Sequence, residues 1–264
     1  MEFEDIVDIK CSFEKSKNKK CVIKLGDVYC DGFTDIGTIG CFSHFNQEYL
    51  DSVIASIGKY DHIIIHPVAL DAFSAYDSGL NWRAQWKKLE CGDYYDSSYA
   101  GRIRLLKANQ VPGSCQIHIE KNEISMLYSN DFNYPDAEIR SSDYLVLDSA
   151  HGITSDKSNR EFVQNKMFEI VREKLFEQKP VIIQASSGIL QEIIKFFEVD
   201  YCGTKLPRDV PFITPVIQKK ILSKIYKNEI NQFRELITMN DKEFWKLVRE
   251  NKRCVIFCTY CDEL

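Results

Sequence analysis

The residues of this chain that could do chemistry on their own spacing are few. Ten cysteines stand at positions 11, 21, 30, 41, 91, 115, 202, 254, 258 and 261, and only the last three cluster. Cys254, Cys258 and Cys261 contain one Cys-x-x-Cys step, the spacing of a zinc knuckle, but no second pair completes a tetrahedral set. They read as core cysteines on a strand, and the others, in apolar or alternating runs, as reduced and mostly buried thiols. His62 and His66 bracket an apolar run and read as packed or capping residues, whereas His118 alternates with Ile117 and Ile119 and should face outward. The small residues Ala185-Ser186-Ser187-Gly188 lie between a strand-like run and a helix-like one. Backbone N–H groups at such a helix start could cradle a phosphate, and a tight packing turn would need the same residues. Lys15 to Lys20 (KSKNKK) is the densest basic run and reads as a solvated loop between strands. Tyr94-Tyr95 and the Trp82 to Trp86 stretch offer stacking surface, with core or interface the plainer reading.

The chain has 264 residues, 44% of them apolar, enough for one large domain or two closely joined ones. A net charge of −5 disfavours broad nucleic-acid binding, which needs clustered Lys and Arg to neutralise phosphates. No run of eighteen apolar residues is present, and MEFEDIVDIK has acids where a signal peptide needs a basic start. A cytoplasmic protein with no membrane partner is expected.

Strands dominate the first half. Lys20 to Cys30, His62 to His66 and Arg102 to Lys107 read as strands, and Ser114–Glu120 with Glu123–Tyr128 as a hairpin turning at Lys121-Asn122. Between them, Gln47 to Ile57 predicts a helix with Leu50, Val53, Ile54 and Ile57 inward, ending at Gly58. From Ser158, capped together with Glu161, Phe162, Val163, Met167, Ile170, Val171 and Leu175 predict a long helix up to Lys179-Pro180. Val181 to Gln184 reads as a buried strand, followed by a helix with Ile189, Leu190, Ile193, Ile194 and Phe197 inward. Further helices are predicted at Pro215 to Lys227, Glu229 to Thr238 and Asp241 to Arg249, behind an Asn240 cap, and a closing strand at Cys254 to Thr259.

Three segments taken together resemble a known family. Thr34-Asp35-Ile36-Gly37 through Cys41-Phe42-Ser43-His44-Phe45-Asn46-Gln47-Glu48-Tyr49 resembles the metallo-β-lactamase loop Ser-His-x-His-x-Asp-His. Ala108-Asn109-Gln110-Val111-Pro112-Gly113-Ser114 and Tyr128-Ser129-Asn130-Asp131-Phe132 resemble the Ala-x-His-x-Pro-Gly-Ser and Tyr-x-Gly-Asp-Phe pair. Tyr144 to Gly152, with Lys179 to Glu192, is similar to the β-CASP lobe of RNA and DNA nucleases. The resemblance spans roughly residues 20 to 260, and the ordered series is more specific than any one motif. It implies an α/β fold, an αββα metallo-β-lactamase-type sandwich over residues 1–155 with an inserted β-CASP-like α/β lobe over 156–264.

The departures decide the expected function. The resemblance implies metal ligands at His44, Asp131 and Asp148, but this chain has Asn46, Glu48, Tyr49 and Gln110 where the family has His, Asp, His and His. Amides are weak zinc ligands and a phenol is a poor one at neutral pH, so these residues form a vestigial pocket unable to lower the pKa of a bound water to near 7. His151, after Asp148, is the one spare imidazole to weigh as a substitute ligand. The family's returning segment, with a further histidine, is expected to be missing after Asp262-Glu263-Leu264, leaving an edge that a partner could cover. The expectation is a pseudoenzyme without cofactor that binds a protein partner in a hetero- or homo-oligomer, an active paralogue included, or nucleic acid. The alternative is a metal-dependent nuclease or other hydrolase whose rewired site, built from His44, Glu48, Asp131, Asp148 and His151, holds Zn²⁺, Mn²⁺ or Mg²⁺.

Overall fold

The computed structural model describes residues 7–12, 20–32, 38–133, 136–147, 160–198, 206–250 and 252–260. The chain has a mixed α/β fold and divides into two compact units, Met1–Ser149 and Ala150–Leu264. No helix among the described residues is long and apolar enough to cross a membrane.

The first unit is built on two sheets. Six strands, β1 (Val7–Ser12), β2 (Lys20–Leu25), β3 (Val28–Cys30), β4 (Ile39–Phe42), β5 (His62–Ile65) and β6 (Trp86–Lys88), lie side by side in chain order. β1 to β3 are antiparallel, and β3 to β6 are parallel. Parallel neighbours need crossovers, supplied by α1 (Leu50–Ser56), then α2 (Pro67–Phe73) and α3 (Leu80–Arg83). The second sheet is the antiparallel set β7 (Tyr94–Ser97), β8 (Gly101–Lys107), β9 (Cys115–Lys121) and β10 (Ile124–Asn130), with β11 (Tyr144–Leu147) parallel to β10 at its edge. Alternate residues of both sheets, Leu25, Val28 and Ile64 from one and Ile103, Ile117 and Met126 from the other, share one apolar core.

Local chemistry moved several predicted boundaries. The hairpin turns at Asn122-Glu123, both at positive φ, because a two-residue turn between twisted strands needs left-handed residues and Asn accepts that conformation readily. The helix expected from Gln47 begins as a 3-10 turn at Gln47–Tyr49, and α1 runs only over Leu50–Ser56. It buries Ser52, Val53 and Ser56 and leaves Ile54 exposed. The Ser56 hydroxyl donates to the Ser52 carbonyl at 2.6 Å, which lets small polar residues take the inner face.

The second unit is a four-stranded parallel sheet in the order β12 (Val181–Gln184), β15 (Val255–Cys258), β13 (Phe212–Thr214), β14 (Leu236–Thr238). One face packs under α4 (Arg160–Phe176), α5 (Ile189–Glu198) and α6 (Val216–Ile225), through Phe168, Leu190, Phe197, Leu222, Phe212 and Phe257. The other face holds Ile213 and Ile256 against Phe244 and Leu247 of α7 (Lys242–Arg249). In α4 the buried stripe is Phe168, Val171 and Leu175, and Phe162, Val163 and Ile170, expected inward, are exposed. Ser158, the expected cap, lies outside the described residues. The helix expected at Glu229 to Thr238 is a short 3-10 turn at Ile230–Gln232 followed by β14, because Leu236–Thr238 pairs with Phe212–Thr214. Arg234, between them, is buried against Glu198 at 2.6 Å and lies over the Phe212 ring at 3.7 Å. Cys254 and Cys258 are buried on or beside β15, and Cys261 lies outside the described residues.

Candidate functional site

The ends of β3, β4 and β10 converge on a buried polar cluster in the first unit. Asp31, just past β3, accepts the Ser43 backbone N–H at 2.8 Å and the Ser43 hydroxyl at 2.6 Å. Asn130 closes β10 at a register shift with φ of 47°, a left-handed conformation that Asn tolerates better than most residues. From there its Nδ2 donates to Asp31 Oδ2 at 3.1 Å, contacts the Ser43 hydroxyl, and lies 2.7 Å from His44 Nδ1. The Tyr128 hydroxyl also bonds to Asp31. Asp31, Ser43, His44 and Asn130 are all more than nine-tenths buried.

This network favours one state of His44. Asp31 accepts from Ser43 and Asn130, so the Asn130 amide must turn its NH₂ group toward that carboxylate. The opposite flip would set Oδ1 against a charged oxygen. An NH₂ group only donates, so its approach favours an accepting His44 Nδ1 with the ring proton of the neutral imidazole on Nε2, while the Ser43 hydroxyl, 3.0 Å from Nδ1 and itself donating to Asp31, offers the other tautomer an acceptor. Burial agrees, pushing the His44 pKa down to about 4. Burial also raises the Asp31 carboxyl to about 6, against the lowering effect of its hydrogen bonds from Ser43 and Tyr128. The Tyr128 phenol is pushed far up, first by burial and then by the nearby Asp31 charge.

The other expected site residues divide. Gln110 and Asp131 meet, with Gln110 Nε2 donating to Asp131 Oδ2 at 3.1 Å. Their loops are zipped by Asn133, whose backbone N–H reaches the Ala108 carbonyl and whose side chain reaches the Asn109 carbonyl. Ser114 ties the Gln110 loop by accepting the Gln110 and Val111 backbone N–H groups. Gly113, at φ 76°, passes so close to α2 that a Cβ would stand 2.9 Å from the Ala69 nitrogen and His66 Nδ1. The ring of Tyr49 meets His44 edge to face at 5.2 Å. Asn46 caps the 3-10 turn by accepting the Glu48 backbone N–H, and the Glu48 side chain is exposed. Asp148 and His151 lie outside the described residues. Among the described residues no three His, Cys, Asp or Glu side chains are grouped so as to hold a metal ion.

No family model matches this sequence, and no curated protein matches it. Among solved structures, a protein of unknown function from Enterococcus faecalis V583 is similar, with a TM-score of 0.54 at 6% identity over 93% of this chain and 74% of that one. The chain has an α/β fold. A likeness at that identity speaks for the fold alone.

Asp31, Tyr128 and Asn130 are the site residues that sequence reasoning missed. The one available signal was an acid directly after the apolar strand Val28-Tyr29-Cys30, where a charge is costly to bury unless it is hydrogen-bonded. His66 serves as a cap, accepting the Val68 backbone N–H, and pairs with Glu90 at 2.8 Å. His118 lies on the core-averse face of β9, as its alternation predicts, yet its side chain is only 1% exposed.

Proposed function

We propose that this chain is a catalytically degenerate protein of the metallo-β-lactamase and β-CASP type that acts as a binding or structural subunit. It would engage an active paralogue, another protein or nucleic acid. Two sheets around one core, followed by a parallel α/β unit, are compatible with that architecture. The carrying observation is that an amide donor, Asn130 Nδ2, stands 2.7 Å from His44 Nδ1. A metal-ligating imidazole binds through one nitrogen and donates its other N–H to an acceptor, whereas His44 faces a donor. In the Tyr-x-Gly-Asp-Phe motif that Tyr128 to Phe132 resembles, Asn130 stands in place of Gly. It keeps the left-handed backbone and adds the amide that favours the Nε2-protonated tautomer. The donor set therefore fits a zinc centre poorly.

The test is elemental mass spectrometry on untagged protein purified without chelator, paired with assays on RNA and DNA. Zinc, manganese and iron are expected well below one equivalent, with no divalent-dependent cleavage. Near-stoichiometric metal, or cleavage that disappears in Asp131→Ala, would establish the hydrolase instead. Long-range ¹H–¹⁵N spectra should find the His44 proton on Nε2.

A further inference from the structure

We propose that the second unit pairs with a second copy of this chain, β12 against β12 and α4 against α4, each antiparallel about a two-fold axis. β12 stands at one end of the sheet order β12-β15-β13-β14, so one side of its backbone carries no strand among the described residues. The Val181 and Ala185 N–H groups donate inward to Cys254 and Cys258. Backbone groups of a strand alternate, so those of Ile182 and Gln184 point outward.

The two edges of this sheet are treated differently. At β14 the Met239 N–H donates inward to Thr214, so Leu236 and Thr238 are the residues whose backbone faces out. Lys219 Nζ donates to the Leu236 carbonyl at 2.7 Å, and the Asp241 carboxylate accepts the Thr238 N–H at 2.7 Å. Charged side chains laid over an edge keep other strands from pairing with it. β12 is uncharged, Val181-Ile182-Ile183-Gln184, and Lys179 before it is paired with Glu177 at 2.7 Å.

The β12 edge is also apolar on both faces. Ile182 pairs with Ile256 and shares its α7 side, but α7 covers Ile213 and Ile256 and leaves Ile182 57% exposed. On the other face α4 packs over β12 and α5 over β15. α4 turns Phe168 toward Phe196 and Phe197 of α5. At about 100° per residue, Val163 and Ile170 lie roughly 140° and 200° around the helix from Phe168, on the flank away from α5. They are 50% and 48% exposed.

A second copy fits this edge because the edge is complementary to itself. A two-fold axis perpendicular to the sheet makes the β12 strands antiparallel and keeps both α4 helices on one face, also antiparallel. Lys166 precedes Glu169 and Glu173 on one face of α4, at spacings of three and seven. Reversal of the partner helix sets Lys166 against Glu169 and Glu173 of the second copy, whereas parallel helices would set like charges together. Within one copy, Lys166 meets Glu169 at 3.8 Å and Lys174 meets Glu173 at 3.4 Å, exposed pairs that hold little energy and can exchange. This inference concerns the second unit and does not rest on the metal chemistry of the first.

The experiment is sedimentation equilibrium of the full chain over a range of concentrations, with circular dichroism as the check on folding. A closed dimer is expected, with affinity weakened about tenfold or more in Ile182→Lys and in Ile170→Glu, both at exposed positions where the monomer keeps its fold. Lys166→Glu should weaken the dimer, and adding Glu169→Lys and Glu173→Lys should restore it, a rescue that non-specific apolar association would not show. A chain that stays monomeric up to the order of 100 μM would overturn the proposal. So would a dimer indifferent to these substitutions, or growth into open-ended assemblies.

Discussion

The polar cluster at Asp31 and the one at Gln218 are both buried, and they are balanced in opposite ways. At Asp31 one carboxylate collects donors from Ser43, Asn130 and Tyr128, so each donor there has an acceptor. At Gln218 the single carbonyl oxygen is shared by two donors, while Nε2 and the Thr214 hydroxyl have none. A satisfied buried network locks one arrangement of side chains, whereas an unsatisfied one costs free energy. The first region is thus locked by its bonds, and the second carries an uncompensated cost.

The hardest break of that contrast is Asp31→Ala, which strips the shared acceptor from several buried donors and should destabilise the protein by about 3 kcal/mol or more, read by urea unfolding. A smaller effect concerns acid. Asp31, with its pKa raised to about 6, contributes stability below its ordinary value that is lost as pH rises through 6. His44, lowered to about 4, does the reverse, losing stability as pH falls from 6.5 toward 4. The two nearly offset each other between these values. In His44→Gln only the Asp31 contribution remains, so stability should rise by about 1 kcal/mol from pH 7 to pH 5, while the unmodified chain stays almost flat. A fall over that range would refute the assignment of burial to Asp31.

The sharpest version of the comparison removes one hydroxyl from each region. Ser43→Ala should destabilise by about 1 kcal/mol, because a satisfied bond to Asp31 is lost. Thr214→Val should stabilise the protein by up to about 1 kcal/mol, because it deletes a buried hydroxyl without a partner. Thermal midpoints moving in the same direction would erase the distinction between the regions.

Much of the fold was legible where a pattern is local. The strand state of Val181–Gln184, Leu190, Ile194 and Phe197 on the inner face of α5, and the β9–β10 hairpin follow from periodicity and turn spacing, which depend on near neighbours in the chain. But Val181–Gln184, expected to be buried, is an edge strand with Ile182 exposed, and Ile189, expected inward, is exposed as well. Leu236–Thr238 was misread because its strand state comes from pairing with Phe212–Thr214, more than twenty residues earlier. In α4 the apolar residues surround the helix, so periodicity could not choose between Phe162 and Phe168, and the sheet beneath it did.

At the candidate site, the sequence by itself determined the residue types. It set amides at Asn46 and Gln110, a phenol at Tyr49, an imidazole at His44 and a carboxylate at Asp131, and these limit what a metal could bind. Only the tertiary structure decided their states. The His44 tautomer depends on Asn130, 86 positions away, and the raised pKa of Asp31 on burial beneath strands from two sheets. Proton positions and pKa values are set by desolvation and by partners brought together in space, neither of which is written in the order of residues.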